Sequence, residues 1–149
     1  MHRFPSRASP RPVGVGVAGV VFAFLLVSAA PAAQAATTAE RSVHVMINEA
    51  RAASGVGSLN LSDRLSRIAH RHSKAMANSG GLFHSCLCGI GGHRLGENVG
   101  FGADRESVQQ QLMASPPHRA NILGSKFRRV GVGVVRQGGR TWVTQIFIG

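Results

Sequence analysis

The C-terminal part of the chain alternates its side chains in two segments joined by a Gln-Gly-Gly-Arg turn at residues 137–140. In the first segment Val130, Val132 and Val134 share one face, and in residues 141–148 apolar side chains fall on both faces. Because a strand with apolar side chains on both faces must be covered on both, the pattern predicts a hairpin at the centre of a sheet, with helices above and below. The predicted fold is a three-layer α/β/α sandwich with a central, mainly antiparallel sheet.

Two amphipathic helices are predicted ahead of this hairpin. Apolar side chains recur at three- and four-residue spacing after Thr37 and Thr38, either of which can cap, and this first helix ends at the next glycines. A second stripe of the same spacing predicts a helix over residues 62–79, again followed by glycines. His72 lies on that stripe, so we expect a buried, hydrogen-bonded imidazole. His44 and His70 fall on polar faces and are expected to be solvated.

Residues 80–103 are rich in glycine and predict a long loop, a kind of segment that is usually functional or disordered in a compact domain. A third helix is predicted from Ala103 or Asp104 to Ala114, with Gln111 among its candidate inward side chains. The double proline that follows breaks the backbone and begins a short fourth helix, for which Ser115 is the predicted cap.

The first 35 residues predict an export signal. They combine three arginines, an uncharged apolar run over residues 13–30 and the sequence Ala33-Gln34-Ala35, a small-x-small site for a signal peptidase. We therefore expect residues 1–35 to be removed and residues 36–149 to form one secreted domain. The apolar run is near the lower length limit for a membrane span, so an uncleaved anchor is the competing interpretation.

The expected mature domain is basic. Three of the 17 Lys and Arg residues lie in the signal and none of the 6 Asp and Glu residues does, which leaves 14 basic and 6 acidic residues, a balance of +8. The cations are scattered, and no aromatic side chains alternate with them to stack bases, so we expect no nucleic-acid partner. Contact with polyanions such as wall polymers stays open. We expect a monomer.

Three short segments around His84, Glu97 and His118 each place a titratable side chain between glycines, prolines or apolar residues. Singly, each has an ordinary structural explanation. Brought together, two imidazoles and one carboxylate can hold a divalent metal ion or move a proton. Asn98 and Gln145 are expected to satisfy backbone groups around such a cleft rather than to react. Arg119 and Asn121 are expected to tie the short fourth helix to the turn at Glu97.

These segments belong to an ordered set that resembles a known family. The set comprises Asn48-x-x-Arg51, Leu65-x-x-x-Ala69-x-x-His72-Ser73-x-x-Met76-Ala77, Phe83-His84-Ser85, Gly96-Glu97-Asn98-Val99-Gly100, Ser115-Pro116-x-His118-Arg119-x-Asn121-Ile122-Leu123, Val130-Gly131-Val132-Gly133 and Trp142-Val143-Thr144-Gln145-x-Phe147. From about Val45 to Phe147 the chain resembles the CAP superfamily (cysteine-rich secretory proteins, antigen 5 and pathogenesis-related proteins) in its bacterial SCP-like form. The resemblance implies a secreted α/β/α sandwich with a surface cleft lined by His and Glu.

The cleft of eukaryotic members contains two His and two Glu and is sometimes occupied by zinc. Here His84 matches the first His and Glu97 the Glu of the Gly-Glu-Asn motif, whereas Ser115 and Trp142 stand at the other two positions. The resemblance implies that His118, typical of the bacterial form, completes a three-residue set that could hold zinc. The candidate cleft residues are His84, Glu97, Asn98, Ser115 and His118, and the candidate metal ligands are His84, Glu97 and His118.

Cys86 and Cys88, one residue apart, have three interpretations. Export favours a disulfide, although a bridge across a single residue closes a small, strained and reducible loop. The alternatives are a thiolate pair that binds zinc together with His84 and His93, and two free thiols. The spacing is not that of a thioredoxin-like motif.

Three functions of different classes fit these residues. The first is an extracellular binding module whose cleft holds a small ligand, a lipid or a cell-wall component. The second is a metal-assisted hydrolase that uses the same cleft to activate water. The third is a wall protein that adheres to polyanions through its positive charge. The sequence contains neither a nucleophile elbow nor a His-Glu-x-x-His metal motif, so the binding module is the favoured hypothesis.

Overall fold

The computed structural model describes residues 36–149, and the predicted export signal lies outside the described residues. In chain order the described elements are α1 (Thr38–Ala53), β1 (Asn60–Leu61), α2 (Asp63–Ser79), β2 (Leu95–Gly102), α3 (Arg105–Ala114), α4 (Pro116–Ile122), β3 (Arg129–Gln137) and β4 (Arg140–Ile148). Within residues 36–149 no helix has both the length and the apolar character that a bilayer span requires.

The four strands of the described part form one sheet in the order β1-β3-β4-β2. β3 and β4 are its central hairpin, with Val130 opposite Phe147, and β2 pairs antiparallel with the other edge of β4. The two-residue β1 runs parallel to β3, so the sheet is mixed but mainly antiparallel. Gly138 and Gly139 turn the hairpin with φ of +61° and +73°, left-handed values that suit a two-residue hairpin turn. The predicted central hairpin is confirmed.

Helices cover both faces of this sheet. α2 packs on one face against β3 and β4, whereas α1, α3 and α4 pack on the other. Val132 and Phe147 are fully buried in the core beneath α1, α3 and α4. Trp142 and Ile146 are buried in the core beneath α2. The structure is therefore the three-layer α/β/α sandwich that the alternating apolar pattern predicts.

α2 lies against β3 with almost no space between the two backbones. β3 presents Gly131 and Gly133 to this helix, and a Cβ atom on Gly133 would lie 2.1 Å from the carbonyl carbon of Ala69. A Cβ atom on Gly131 would lie 2.2 Å from the Cβ of Leu65. The alternation of valine and glycine in β3 thus places side chains in one core and leaves the other face free for direct helix contact.

Local capping signals set the helix ends where the sequence predicts them. Thr37 and Glu40 form a reciprocal capping box at the start of α1. The Ser62 hydroxyl accepts a hydrogen bond from the backbone N–H of Leu65 at the start of α2. Gly80 ends α2 with a φ of +70°.

Three histidines outside the candidate cleft bond to other parts of the fold. His72 is buried as predicted, with its Nε2 2.8 Å from the carbonyl oxygen of Phe83. His70 and His44 are not simply solvated. His70 Nδ1 lies 2.8 Å from Oε1 of the buried Glu40, and His44 Nε2 lies 2.7 Å from the carbonyl oxygen of residue 59. Both partners come from other elements, which the periodicity of one helix cannot show.

Strand β2 corrects the prediction that residues 80–103 are one long loop. Residues 95–102 pair along the whole of β4. The glycines of this strand mark close contact with helices, since a Cβ atom on Gly96 would lie 2.8 Å from Asn121 Oδ1 in α4. A Cβ atom on Gly102 would likewise lie 2.8 Å from a side-chain oxygen of α3. The glycine content that suggests a loop instead allows α3 and α4 to pack directly on the strand.

Candidate functional site

The centre of the candidate site is the carboxylate of Glu97, a residue of β2 with 8% of its whole surface exposed. Its Oε1 accepts a hydrogen bond from His84 Nδ1 at 2.9 Å and another from the backbone N–H of Ser85 at 2.8 Å. Its Oε2 accepts a hydrogen bond from the Ser85 hydroxyl. These three donors satisfy the buried carboxylate and hold it in one orientation.

His84 forms the solvent-facing end of this cluster. Its side chain is 60% exposed, whereas the side chain of Glu97 is 4% exposed. With Nδ1 held by the carboxylate, Nε2 lies on the other side of the ring and has no hydrogen bond to the described residues. A neutral ring that donates from Nδ1 offers Nε2 as an acceptor, and a protonated ring offers it as a donor. His84 can therefore bond a polar ligand group in either state.

His118 lies in α4, half-buried beside this cluster. Burial, and then the charge of His84, lower the pKa of His118 below the ordinary value of 6.5. The backbone carbonyl of His118 accepts a hydrogen bond from Asn98 Nδ2 at 3.0 Å, and Asn98 directly follows Glu97 on β2. The structure thus places His84, Glu97 and the part of α4 that carries His118 at one edge of the sheet.

Amide side chains behind the carboxylate join β2 to α4 and β4. Asn98 is fully buried and donates from Nδ2 both to the His118 carbonyl and to Gln145 Oε1, the second at 3.1 Å. Asn121 donates to Asn98 Oδ1 at 2.9 Å and to the backbone carbonyl of Glu97 at 3.3 Å. These bonds hold α4, and with it His118, against the strand that carries Glu97.

The network extends to Gln109, which the sequence does not single out. Gln145 Nε2 donates to Gln109 Oε1 at 2.7 Å, and Gln109 is only 6% exposed. Gln111, the predicted inward residue of α3, is exposed instead. The prediction for Gln111 is wrong because the polar partner on β4, rather than the apolar spacing of the helix, decides which glutamine is buried.

Three further positions complete the comparison with the sequence predictions. Ser115 lies at the junction of α3 and α4, where it is the N-cap of α4 without a side-chain capping hydrogen bond. Of the two residues expected to tie α4 to the turn at Glu97, Asn121 does so and Arg119 is exposed. Ser85 was missed as a cleft residue, although it donates two of the hydrogen bonds that Glu97 accepts. Its only signal is its place beside His84.

Two exposed apolar side chains come directly before His84 in the sequence. Leu82 and Phe83 are 46% and 44% exposed, two of the three large hydrophobic side chains exposed among residues 36–149. His72 fixes this segment to α2, because its Nε2 bonds the Phe83 carbonyl and its ring meets the Phe83 ring edge-on at a centroid distance of 5.0 Å. The apolar surface is therefore held in place and is not a free loop tip.

The geometry does not favour a metal ion at this site. Both oxygens of Glu97 already accept hydrogen bonds, and His84 commits its Nδ1 to the same carboxylate. In the part of the chain that the structure describes, no group of three or more His, Cys, Asp or Glu side chains is arranged to hold a metal ion. Zinc binding by His84, Glu97 and His118 stays a prediction, and in the structure the His84 and Glu97 side chains hydrogen-bond each other.

Cys86 and Cys88 follow the cluster in the connection between α2 and β2. Both are exposed and carry free thiols in the structure. The disulfide and the zinc–thiolate pair with His84 and His93 both stay predictions.

The fold and the site together define a class of protein: an α/β/α sandwich domain in which a His-Ser segment donates hydrogen bonds to a buried glutamate at one edge of the sheet. Residues 45–147 match the sequence model of the CAP family, described as the cysteine-rich secretory protein family, and the chain belongs to this family.

Relatives of the chain include bacterial proteins. Over 122 residues it is 32% identical to the uncharacterized protein YkwD of Bacillus subtilis, a match that covers 74% of this chain and 47% of YkwD. The chain thus spans about half the length of that curated relative.

Solved structures of the same fold also include bacterial proteins. An extracellular protein containing a SCP domain from Bacillus anthracis superposes with a TM-score of 0.65 at 24% identity, over 73% of this chain and 39% of that chain. A cysteine-rich secretory protein from Staphylococcus aureus superposes with a TM-score of 0.61 at 26% identity, over 72% of this chain and 37% of that chain. The predicted resemblance and the predicted sandwich are both confirmed.

Proposed function

We propose that this CAP-domain protein is an extracellular binding module whose cleft, at His84, Glu97 and His118, holds an amphipathic small ligand such as a lipid. The observation that carries the proposal is the exposed imidazole of His84, which directly follows two exposed apolar side chains, Leu82 and Phe83. A ligand with a polar head and an apolar chain matches both surfaces, because pockets for small molecules combine apolar lining with a few placed polar groups.

The environment of Glu97 supports a binding role. A general base must reach the proton it removes, and a nucleophile must reach its substrate. The Glu97 carboxylate is buried and already accepts hydrogen bonds on both oxygens, so it orients His84 rather than reacting. His84 is then the group that meets the ligand.

The extracellular location is part of the same proposal. It is supported by the export signal predicted over residues 1–35 and by the similarity to a Bacillus anthracis protein described as extracellular. When the full chain is expressed in an exporting bacterial host, we expect the protein in the medium to begin at Ala36.

The test is a titration of the exported protein with a dansyl-labelled fatty acid, followed by fluorescence. We expect saturable binding, and we expect Phe83→Ser to raise the Kd by about tenfold, or ~1.4 kcal/mol, because it removes an apolar surface that the acyl chain would cover. Glu97→Gln should weaken binding as well, since it loosens the orientation of His84. Val45→Ser is the matched control, because Val45 is 53% exposed but lies on α1, outside the cleft.

One result would contradict the proposed cleft, and two others would favour a different function. Equal affinities of Phe83→Ser and Val45→Ser would contradict the proposed cleft. Turnover of a peptide or ester that EDTA abolishes would favour the metal-assisted hydrolase. Attachment to isolated cell walls that moderate salt releases, without fatty-acid binding, would favour adhesion to polyanions.

A further inference from the structure

The pair Cys86 and Cys88 lies outside the hydrogen-bonded cluster at Glu97 and has no part in the proposed binding role. We propose that this pair is a thiol–disulfide exchange site, whose substrates are exposed disulfides in peptides or exported proteins. The proposal does not depend on what the cleft binds.

The backbone brings the two thiols to the same side of the loop. Leu87, the one residue between them, has a φ of +50°, the left-handed conformation that reverses the chain direction within a turn. As a result the Cys88 backbone N–H points at Cys86 Sγ, with N and Sγ 3.3 Å apart, and Cys88 Sγ lies 3.5 Å from the Cys86 carbonyl oxygen. Two sulfurs separated by one residue can therefore meet without moving the rest of the domain.

The surroundings make the two thiols unequal. Cys86 Sγ accepts a hydrogen bond from the Cys88 backbone N–H, a contact that stabilises a thiolate, whereas the Cys88 thiol donates to the Cys86 carbonyl oxygen and so keeps its proton. The thiolate is the attacking form in exchange, and a thiol that stays protonated attacks later. Cys86 is thus suited to attack a substrate and Cys88 to resolve the product.

A surface recess of about 340 Å³ gives a substrate segment a place to lie beside the thiols. Both cysteines line it, together with the apolar side chain of Ile68 and the guanidinium-bearing side chains of Arg64 and Arg71. Both thiols are exposed, so a disulfide in another molecule can reach them. The arginines give the recess positive charge, which attracts acidic peptide segments.

The reaction balances without any further reagent. The Cys86 thiolate attacks one sulfur of the substrate disulfide, whose other sulfur leaves with the bonding electron pair and takes up a proton. Cys88 then loses its proton and attacks the Cys86 sulfur of the mixed disulfide, and this releases the second substrate thiol. The pair is oxidised by two electrons to a disulfide and the substrate is reduced to two thiols. Because the new ring spans one residue, it is strained, and two molecules of a thiol such as glutathione reduce it back to the dithiol and become glutathione disulfide.

The first experiment uses the exported full-chain protein and 5,5′-dithiobis(2-nitrobenzoic acid) as the disulfide probe. We expect Cys88→Ser to hold a stable mixed disulfide at Cys86, detected by mass spectrometry. We expect Cys86→Ser to react about tenfold or more slowly near neutral pH, because its remaining thiol lacks the stabilising donors. Wild-type protein should release two equivalents of thiolate and end as the internal disulfide. Equal rates for the two single variants would overturn the proposed division between attacking and resolving thiol.

The second experiment separates an exchange site from a structural bridge. The protein is equilibrated with mixtures of reduced and oxidised glutathione, and the exchange is then quenched with acid. Free thiols are alkylated, and the mass of the protein is measured by mass spectrometry. An exchange site passes from dithiol to disulfide within the range of mixtures, and it accelerates recovery of activity by scrambled ribonuclease, which the double variant Cys86→Ser/Cys88→Ser does not. A pair that stays oxidised in every mixture is a structural disulfide, and a pair that stays reduced cannot exchange, so either result would overturn the proposal. Unchanged melting temperatures of the variants confirm that folding is not the cause, since both cysteines are exposed.

Discussion

Replacing Gly133 by alanine tests whether α2 packs directly on the backbone of β3. The added methyl carbon would lie 2.1 Å from the carbonyl carbon of Ala69, 2.2 Å from the backbone nitrogen of His70 and 2.3 Å from the carbonyl oxygen of Ala69. All three atoms belong to the helix backbone, so no side chain can rotate away. Ordinary contact begins near 3.4 Å, and the helix must therefore retreat by about 1.3 Å at this point.

The expected loss of stability has two parts. Overpacking a core costs ~1–3 kcal/mol, and a clash with backbone belongs at the upper end of that range. The retreat also stretches the buried hydrogen bond from the Ser73 hydroxyl on α2 to the Gly133 carbonyl, now 3.0 Å long, at about 0.5–1.5 kcal/mol. We expect Gly133→Ala to lower the free energy of unfolding by about 3–4 kcal/mol. At about 4 °C per kcal/mol for a domain of this size, the melting temperature should fall by about 12 °C or more.

Urea unfolding and differential scanning calorimetry measure this loss. Gly57→Ala is the matched control, because Gly57 is exposed, is outside the left-handed φ region and has no atom within 4 Å of an added Cβ. It should change stability by less than about 0.5 kcal/mol. A loss under about 1 kcal/mol in Gly133→Ala would refute direct backbone packing. An equal loss in both variants would assign the effect to the removal of a glycine as such.

Two further predictions concern a buried arginine and a half-buried histidine. Arg51 is 1% exposed and donates hydrogen bonds to three backbone carbonyls, so Arg51→Met should lower the free energy of unfolding in urea by ~3 kcal/mol. Arg119→Met on the surface is the control and should lower it by less than ~0.5 kcal/mol. Equal effects of the two substitutions would contradict a structural role for Arg51. Burial and a neighbouring imidazole lower the pKa of His118, so the unfolded chain binds its proton more readily than the folded one. Its contribution to stability is complete above the ordinary value of 6.5 and is lost as the pH falls from there toward the lowered folded pKa. His118→Asn should flatten the dependence of unfolding free energy on pH between about 7 and 5, and an NMR titration that puts the His118 pKa at or above 6.5 would refute this.

Much of the architecture follows from signals a few residues apart. Thr37 with Glu40 begins α1, Ser62 begins α2 and Gly80 ends it, because each cap satisfies backbone groups of its own helix. The hairpin of β3 and β4 is equally local, since two glycines turn it and period-two alternation sets its faces. These features need no knowledge of distant residues.

The candidate site shows what local signals leave open. The residues around them single out His84, Glu97 and His118 in the sequence. The two hydrogen bonds from Ser85 to Glu97, however, join a loop to a strand, and no periodic pattern predicts them. Gln109 is buried for a similar reason, because its amide meets a partner on β4.

In residues 36–149, the spacing of apolar side chains and the capping residues thus predict the two long helices and the hairpin. They also predict that both faces of the sheet are covered. Only tertiary packing decides that the glycine-rich residues 95–102 are a strand, because their glycines are explained by the helices that press on them. The same holds for Arg51, whose charge is buried since it reaches carbonyls that are distant in sequence. Helix periodicity and capping act over one or two turns, whereas close approach and hydrogen bonding between elements exist only once the chain has folded.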